Sequence, residues 1–345
     1  MRTIEWKDGT VVTIDQTRLP NTIRFLSIKN CEELSLAIKE MKLRGAPLIG
    51  VAAAYGLALT AHHSKANERE ELLRELENSA NMLKRTRPTA VNLFWAVDRV
   101  LKKVKEATGD VKALVEIVIK EAQKMAEEDV EINCRIGEFG SKLIDDGDVV
   151  LTHCNAGSLA TVDYGTALGV IRTAWKQGKQ IRVIATETRP RLQGVRLTAF
   201  ELKRDGIPVT LITDSTVGYA MSKGLVKKVI VGADRVVRDA VINKIGTYTI
   251  AVLAHEHGIP FYVAAPTSTF DLTHTSKETT IEERSPEEIT NFGSQRIAPH
   301  GVDVLNPAFD VTPIKYVSAI ICETGIMSTT KFRKDLPIQP RGYKF

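Results

Sequence analysis

Val149-Val150-Leu151-Thr152-His153-Cys154-Asn155-Ala156-Gly157-Ser158 decides the reading of this chain: an apolar run that ends abruptly in polar and reactive residues. Four more runs repeat the pattern downstream: Ile181-Arg182-Val183-Ile184, Val209-Thr210-Leu211-Ile212, Val229-Ile230-Val231 and Phe261-Tyr262-Val263-Ala264. Short apolar runs rich in β-branched residues, separated by helical patterns, read as buried strands. Gly178, Gly206, Gly224 and Gly258 each stand just before the next strand, where a left-handed cap closes a helix. Strand, helix, glycine, strand at such intervals predicts a parallel sheet with right-handed crossovers. A later run, Val317-Ser318-Ala319-Ile320-Ile321-Cys322, is a candidate final strand.

Upstream of these runs the texture is different. Thr10-Val11-Val12-Thr13-Ile14-Asp15 alternates as an edge strand or hairpin arm does. Apolar-periodic stretches then follow at 31–42, 47–61, 68–85, 90–105 and 110–133, with Pro47 and Pro88 at boundaries. At 345 residues the chain exceeds the usual single-domain size. The expected class is α/β, with an N-terminal mostly helical domain carrying a small β-sheet (1–130). A C-terminal Rossmann-like parallel sheet flanked by helices (131–345) is expected to follow.

Composition removes several function classes. Hydrophobic residues at 43% and charged residues at 26% are ordinary for a globular protein. No apolar run approaches the roughly 20 residues of a membrane span, and the N-terminus lacks the apolar core of a secretion signal. A cytoplasmic protein without a membrane partner is expected. Cys31, Cys134, Cys154 and Cys322 form no C-x-x-C pair, which argues against a zinc site or a disulfide framework. His62-His63 and His255-Glu256-His257 do not place two ligands at i, i+4, so no metal is expected. Neither a G-x-G-x-x-G nor a P-loop follows any strand, so no nucleotide cofactor is indicated. The net charge of +5 is spread along the chain; it suits an anionic substrate but is too diffuse for nucleic acid. The basic tail, Lys331 to Phe345, reads as a solvated or partner-covering extension.

In open parallel sheets ligands bind outside the carboxyl ends of the strands. Those ends lead here into Thr152–Ser158, Thr186–Gly194, Thr213–Thr216, Gly232-Ala233-Asp234-Arg235 with Asn243-Lys244 shortly after, and Ala265–Ser268. Cys154 is expected to lead into a helix whose N–H groups and dipole lower its pKa; the bland alternative is a small buried residue under a turn. Asp234 follows an apolar strand, so a raised pKa suited to acid or base work is expected; alternatively it caps a turn or partners Arg235 or Arg238. Position alone does not separate these roles, but finding both residues on one edge strengthens each. Arg44-Gly45-Ala46-Pro47 precedes a small-residue helix and suits a phosphate, although a plain capping turn reads the same way. Arg87-Pro88 is expected to open another helix and offers a second cation, although Pro88 as a plain first-turn residue without a functional role reads the same way.

These residues carry a resemblance. Arg44–Pro47, Arg87–Leu93, Thr152–Gly157, Glu187–Gly194, Gly232–Arg235 and Asn306–Pro313 together resemble the methylthioribose-1-phosphate isomerases, in that family's order and almost to Gly325. The resemblance implies conversion of 5-methylthio-ribose 1-phosphate to 5-methylthio-ribulose 1-phosphate, a homodimer, and no metal or nucleotide cofactor. It implies Asp234 as proton donor and Cys154 as the residue that stabilises the transition state. Arg44, Gly45, Ala46, Arg87, Gln193, Asn243 and Lys244 resemble the substrate-binding positions. Ser158 departs from the alanine expected there and is expected to add a hydroxyl near Cys154. Two relatives of the same fold are the alternatives: ribose-1,5-bisphosphate isomerase, and the non-catalytic regulatory subunits of the translation initiation exchange factor. The regulatory reading expects loss of the catalytic pair, and the bisphosphate reading expects an extra cationic pocket.

Overall fold

The computed structural model describes residues 1–329, so the basic tail from Lys331 lies outside the described residues. Strands β1 (Ile4–Lys7), β2 (Thr10–Ile14) and β3 (Phe25–Ile28) form an antiparallel sheet in that order. The Thr10 strand, expected as an edge strand or hairpin arm, is a hairpin arm: it pairs with β1 across a tight turn and with β3 on its other side. Its alternation reflects Val11 turned into the core, not an exposed border. Helices α1 (Cys31–Lys39), α2 (Ala46–His63), α3 (Arg69–Lys84), α4 (Val91–Glu106) and α5 (Val111–Ser141) follow. Asn30 caps α1 by accepting the Glu33 N–H at 2.8 Å, and Asp110 caps α5 by accepting that of Ala113 at 2.9 Å. A helix apolar all round must be buried, and α2 is: Leu48, Ala52, Ala53, Leu57 and Leu59 lie at its heart with α3, α4 and α5 packed around it.

Helix α5 does not stop near residue 133 but runs 31 residues. Leu114, Val118, Ala122 and Met125 belong to the helical core, while Ile136, about three turns on, belongs to the core beneath the main sheet. Gly140 lets the next helix approach closely there, since a Cβ on it would lie 2.3 Å from Val170 Cγ2.

The second half begins with β4 (Val149–Thr152), α6 (Ala167–Lys176), β5 (Arg182–Thr186), α7 (Ala199–Arg204), β6 (Val209–Ile212), α8 (Val217–Ser222) and β7 (Lys228–Val231). Next come β8 (Arg235–Val237), β9 (Ala240–Lys244), α9 (Thr247–Glu256), β10 (Phe261–Ala264) and β11 (Phe270–Asp271). A short helix α10 (Glu287–Thr290) precedes β12 (Asn291–Phe292), β13 (Gln295–Arg296), β14 (Phe309–Pro313), β15 (Ala319–Cys322) and β16 (Gly325–Ser328). The main sheet runs β16-β15-β10-β7-β4-β5-β6, parallel except for β16. The five expected strands and the final one are all in it. Gly178, Gly206, Gly224 and Gly258 all have φ between 64 and 88°, as helix-closing glycines require.

Side chains alternate across this sheet. Leu151, Val229, Val231 and Val263 meet Met221, Ile250 and Ala254 of α8 and α9; Val150, Val183, Ile230 and Ile321 meet Leu168, Ile171 and Leu202 of α6 and α7. From β4 the chain winds outward through β5 and β6, then returns to β7 and winds the other way. That is the doubly wound order, with its crevice between the carboxyl ends of β4 and β7. A second sheet, β11-β8-β9-β14, stands beyond β7 and was not expected from the sequence. No helix among the described residues is long and apolar enough to cross a membrane.

Candidate active site

Cys154 sits two residues beyond β4 and Asp234 three beyond β7, so both enter the crevice at the switch of winding direction. The backbone holds Cys154 in an unusual way. Its φ is +62°, a conformation that non-glycine residues adopt at a cost and that persists only when surroundings impose it. Thr188 Oγ1 accepts the Cys154 N–H at 2.9 Å, and Thr198 Oγ1 donates to the Cys154 carbonyl at 2.6 Å. Thr188 itself has φ +66°. In place of the helix expected directly after Cys154 there is only a single 3-10 turn, Ser158–Ala160, four residues on. The chain instead makes a loop that pairs Gly157 with Gly165, and α6 starts only at Ala167. Without a helix N-terminus, burial dominates and pushes the Cys154 thiol up, with Arg44 and Lys244 opposing. The expected lowering is thus reversed.

Asp234 donates its backbone N–H to the Ile242 carbonyl (3.0 Å), which ties it to the β8–β9 hairpin. That hairpin returns Asn243 and Lys244 to the crevice. Burial raises the Asp234 carboxyl above its ordinary range, as expected, while Lys244, Arg87 and Arg44 act against the rise. Arg235, one of its possible partners, is instead paired with Asp271.

The crevice brings together every residue singled out from the sequence: Cys154 and Asp234, then Arg44, Gly45, Ala46, Arg87, Gln193, Asn243 and Lys244. It encloses about 680 Å³ including its open mouth. Gly45 is the N-cap of α2, with φ +109°. Arg44 precedes it, buried, and donates to the Asn155 carbonyl (2.8 and 3.3 Å) and to Asn155 Oδ1 (2.8 Å). Lys244 Nζ donates to the Ala308 carbonyl at 2.8 Å and lies 4.6 Å from the centre of the Phe309 ring. Burial lowers the pKa of both cations. Among the described residues neither Arg44 nor Lys244 has a carboxylate within ion-pair distance. Arg87 does not open a helix, since α4 begins at Val91, and it faces Glu282 at 3.3 Å. Arg87 Nε and Gln193 Oε1 are buried without a protein partner, which suits groups kept for a ligand.

Other residues shape the site although the sequence assigned them no role there. Asn155 links Arg44 to Glu201, and Ser158 donates its hydroxyl to Glu201 at 2.7 Å, so that hydroxyl is engaged away from Cys154. Glu201 lies in an ordinary-looking helical stretch, and only the spacing Thr198-x-x-Glu201 hints that both point the same way. His153 is buried; its Nε2 meets the Ile245 carbonyl at 2.8 Å and its Nδ1 meets Thr186 Oγ1 at 2.6 Å. Burial lowers its pKa, so the ring is neutral, with Nε2 donating to Ile245 and Nδ1 accepting from Thr186.

Comparison with known proteins identifies the family. Residues 42–329 match the initiation factor 2 subunit family. The chain is 53% identical to the methylthioribose-1-phosphate isomerase of Thermosipho africanus, over 94% of each chain. The crystal structure of 5-methylthioribose 1-phosphate isomerase from Pyrococcus horikoshii OT3 superposes with a TM-score of 0.90 at 47% identity, covering 96% of this chain and 94% of that one. A crystal structure described as translation initiation factor eIF-2B subunit delta from A. fulgidus is 54% identical with a TM-score of 0.85, covering 97% of this chain and 99% of that one. The chain belongs to the initiation factor 2 subunit family and, within it, to the methylthioribose-1-phosphate isomerases.

Proposed function

We propose that this protein isomerises 5-methylthio-ribose 1-phosphate to 5-methylthio-ribulose 1-phosphate, with Asp234 as the acid and Cys154 beside the carbon centre. In this substrate the anomeric oxygen carries phosphate, so the ring does not open unaided to a free aldehyde. A proton must reach the ring oxygen as it opens, and hydrogen must move from C2 to C1. A carboxyl whose pKa burial raises is suited to the first task. Arg44, Lys244 and Arg87 suit the phosphate, and Gln193 and Asn243 suit the sugar hydroxyls. The observation that carries this reading is that a protonatable acid and two cations without carboxylate partners share one crevice with the thiol.

The methylthio group favours this substrate over a bisphosphate. Beside Asp234 and Arg87 the crevice continues into a recess whose apolar lining is Ile49, Ala90, Ile242, Ile281 and Phe309, with Thr89, Thr279 and Thr280 among them. Arg235 at its wall is already paired with Asp271. A thioether gains from such a lining, whereas a second phosphate would be desolvated there, with Arg235 engaged by Asp271 and Arg87 facing Glu282. The wider reading is a homodimer working without metal or nucleotide, as the family resemblance implies, and a cytoplasmic enzyme whose chain divides near residue 130 within α5, as composition and sequence pattern lead us to expect.

Turnover of methylthioribose 1-phosphate by wild type, Asp234→Asn and Cys154→Ala tests the assignment. Each variant is expected to lose at least about a hundredfold in kcat, the scale of lost acid–base assistance. Near-wild-type kcat in either variant removes that residue from its role.

A further inference from the structure

Glu201 touches none of the reacting groups, yet its buried carboxylate gathers five donors below the crevice. They are the Ser158 N–H (2.8 Å) and hydroxyl (2.7 Å), the Leu159 N–H (3.3 Å), Asn155 Nδ2 (2.8 Å) and Arg172 Nη2 (2.7 Å). Asn155 in turn presents Oδ1 to Arg44 Nη2 at 2.8 Å. We propose that Glu201 is a positioning residue for substrate binding, acting through Asn155 to fix the direction of the Arg44 guanidinium in the crevice. The substrate named here rests on the function proposed above; the relay itself rests on the hydrogen bonds.

The argument is one of donors and acceptors. An ionised carboxylate has no hydrogen to give and a guanidinium has no lone pair to receive one. An asparagine amide between them therefore has one permitted orientation, NH2 toward Glu201 and oxygen toward Arg44. Arg44 has no carboxylate of its own among the described residues, and besides Oδ1 it is held by the Asn155 carbonyl. Its aim is thus set by a residue whose own orientation Glu201 dictates. Arg172 keeps the relay charged, because it pairs with Glu201 and also with Asp205 (2.5 Å).

The relay predicts a specific pattern in variants. In Glu201→Gln, Arg172 and Ser158 still demand an acceptor at the Oε2 position, so the new NH2 falls at the position facing Asn155. Two NH2 groups then confront each other, Asn155 turns over, and Arg44 meets a donor. In Asn155→Asp, two carboxylates confront each other instead. Each single variant is expected to raise KM about tenfold or more, the scale of a lost hydrogen bond to a charged group, with kcat changed much less. The double variant Asn155→Asp/Glu201→Gln restores a donor facing an acceptor and leaves an oxygen for Arg44. It is expected to return KM to within about threefold of wild type, a strong non-additivity of the kind coupled pairs show.

Steady-state kinetics on methylthioribose 1-phosphate, with thermal melting of every variant, decide the matter. Raised KM in the singles with recovery in the double supports the relay. Unchanged KM in Glu201→Gln, or raised KM persisting in the double, overturns it. Should the singles not fold, the double alone decides: wild-type KM supports the relay and a tenfold rise refutes it. Wild-type turnover is the reference, so absence of activity in wild type counts against the proposed substrate and not against the relay.

Discussion

Replacing Gly45 with alanine probes the junction on which the site depends. Gly45 has φ +109° and ψ 135°, a conformation that L-residues rarely adopt, and a Cβ there would lie 2.5 Å from Ala160 Cα and 2.7 Å from its carbonyl oxygen. The backbone strain costs about 1–3 kcal/mol. Forcing a methyl against main chain adds about 1–3 kcal/mol more, as overpacking does. The expected loss is therefore about 2–6 kcal/mol, a large part of the roughly 5–15 kcal/mol that stabilises an ordinary domain. Gly178→Ala serves as the reference, since φ there is +88° but nothing lies within 4 Å of the added methyl. It is expected to cost only the left-handed penalty of about 1–2 kcal/mol. Urea unfolding of both variants measures the difference, and KM reads the displacement of Arg44 next door. If Gly45→Ala is no more destabilising than Gly178→Ala and leaves KM unchanged, the close seating of α2 on the Cys154 loop is wrong.

Two further outcomes are expected. Burial pushes the Asp129 carboxyl up to about 7, although it accepts the Val162 N–H at 2.7 Å. A folded pKa above the unfolded value of about 4 gives stability that is complete below pH 4 and lost as pH rises toward 7. Asp129→Asn should therefore flatten the fall in urea midpoint over that interval, and parallel slopes for variant and wild type would contradict it. In heavy water the product should carry no solvent deuterium at C1, because a thiol held neutral by burial is a poor base and direct hydride transfer from C2 needs none. Substantial incorporation would assign proton abstraction to Cys154.

The fold was legible where local pattern and tertiary environment agree. The apolar runs around Leu151, Ile184, Val229 and Val263 are buried on both faces of a parallel sheet, so their composition alone marks them. Because ligands gather at the carboxyl ends of such strands, Cys154 and Asp234 could be set on one edge before any coordinates. The second sheet was illegible for the opposite reason. Its strand β9 pairs with β14, more than sixty residues away in sequence, and Asp310 pairs with Asn243 through contacts that no short window contains. The thiol's environment was misread for a related reason. A helix after Cys154 is a fair local expectation, but Thr188, Thr198 and Glu201 hold the loop 154–159 in another path, and all three come from distant segments. The same holds for Ser158, whose hydroxyl goes to Glu201.

The most direct test is a side-by-side assay of the purified protein with methylthioribose 1-phosphate and ribose 1,5-bisphosphate, comparing kcat/KM. An Asp234 carboxyl raised by burial and the apolar recess by Phe309 together predict clear preference for methylthioribose 1-phosphate. Equal use of both, or preference for the bisphosphate, would contradict the account.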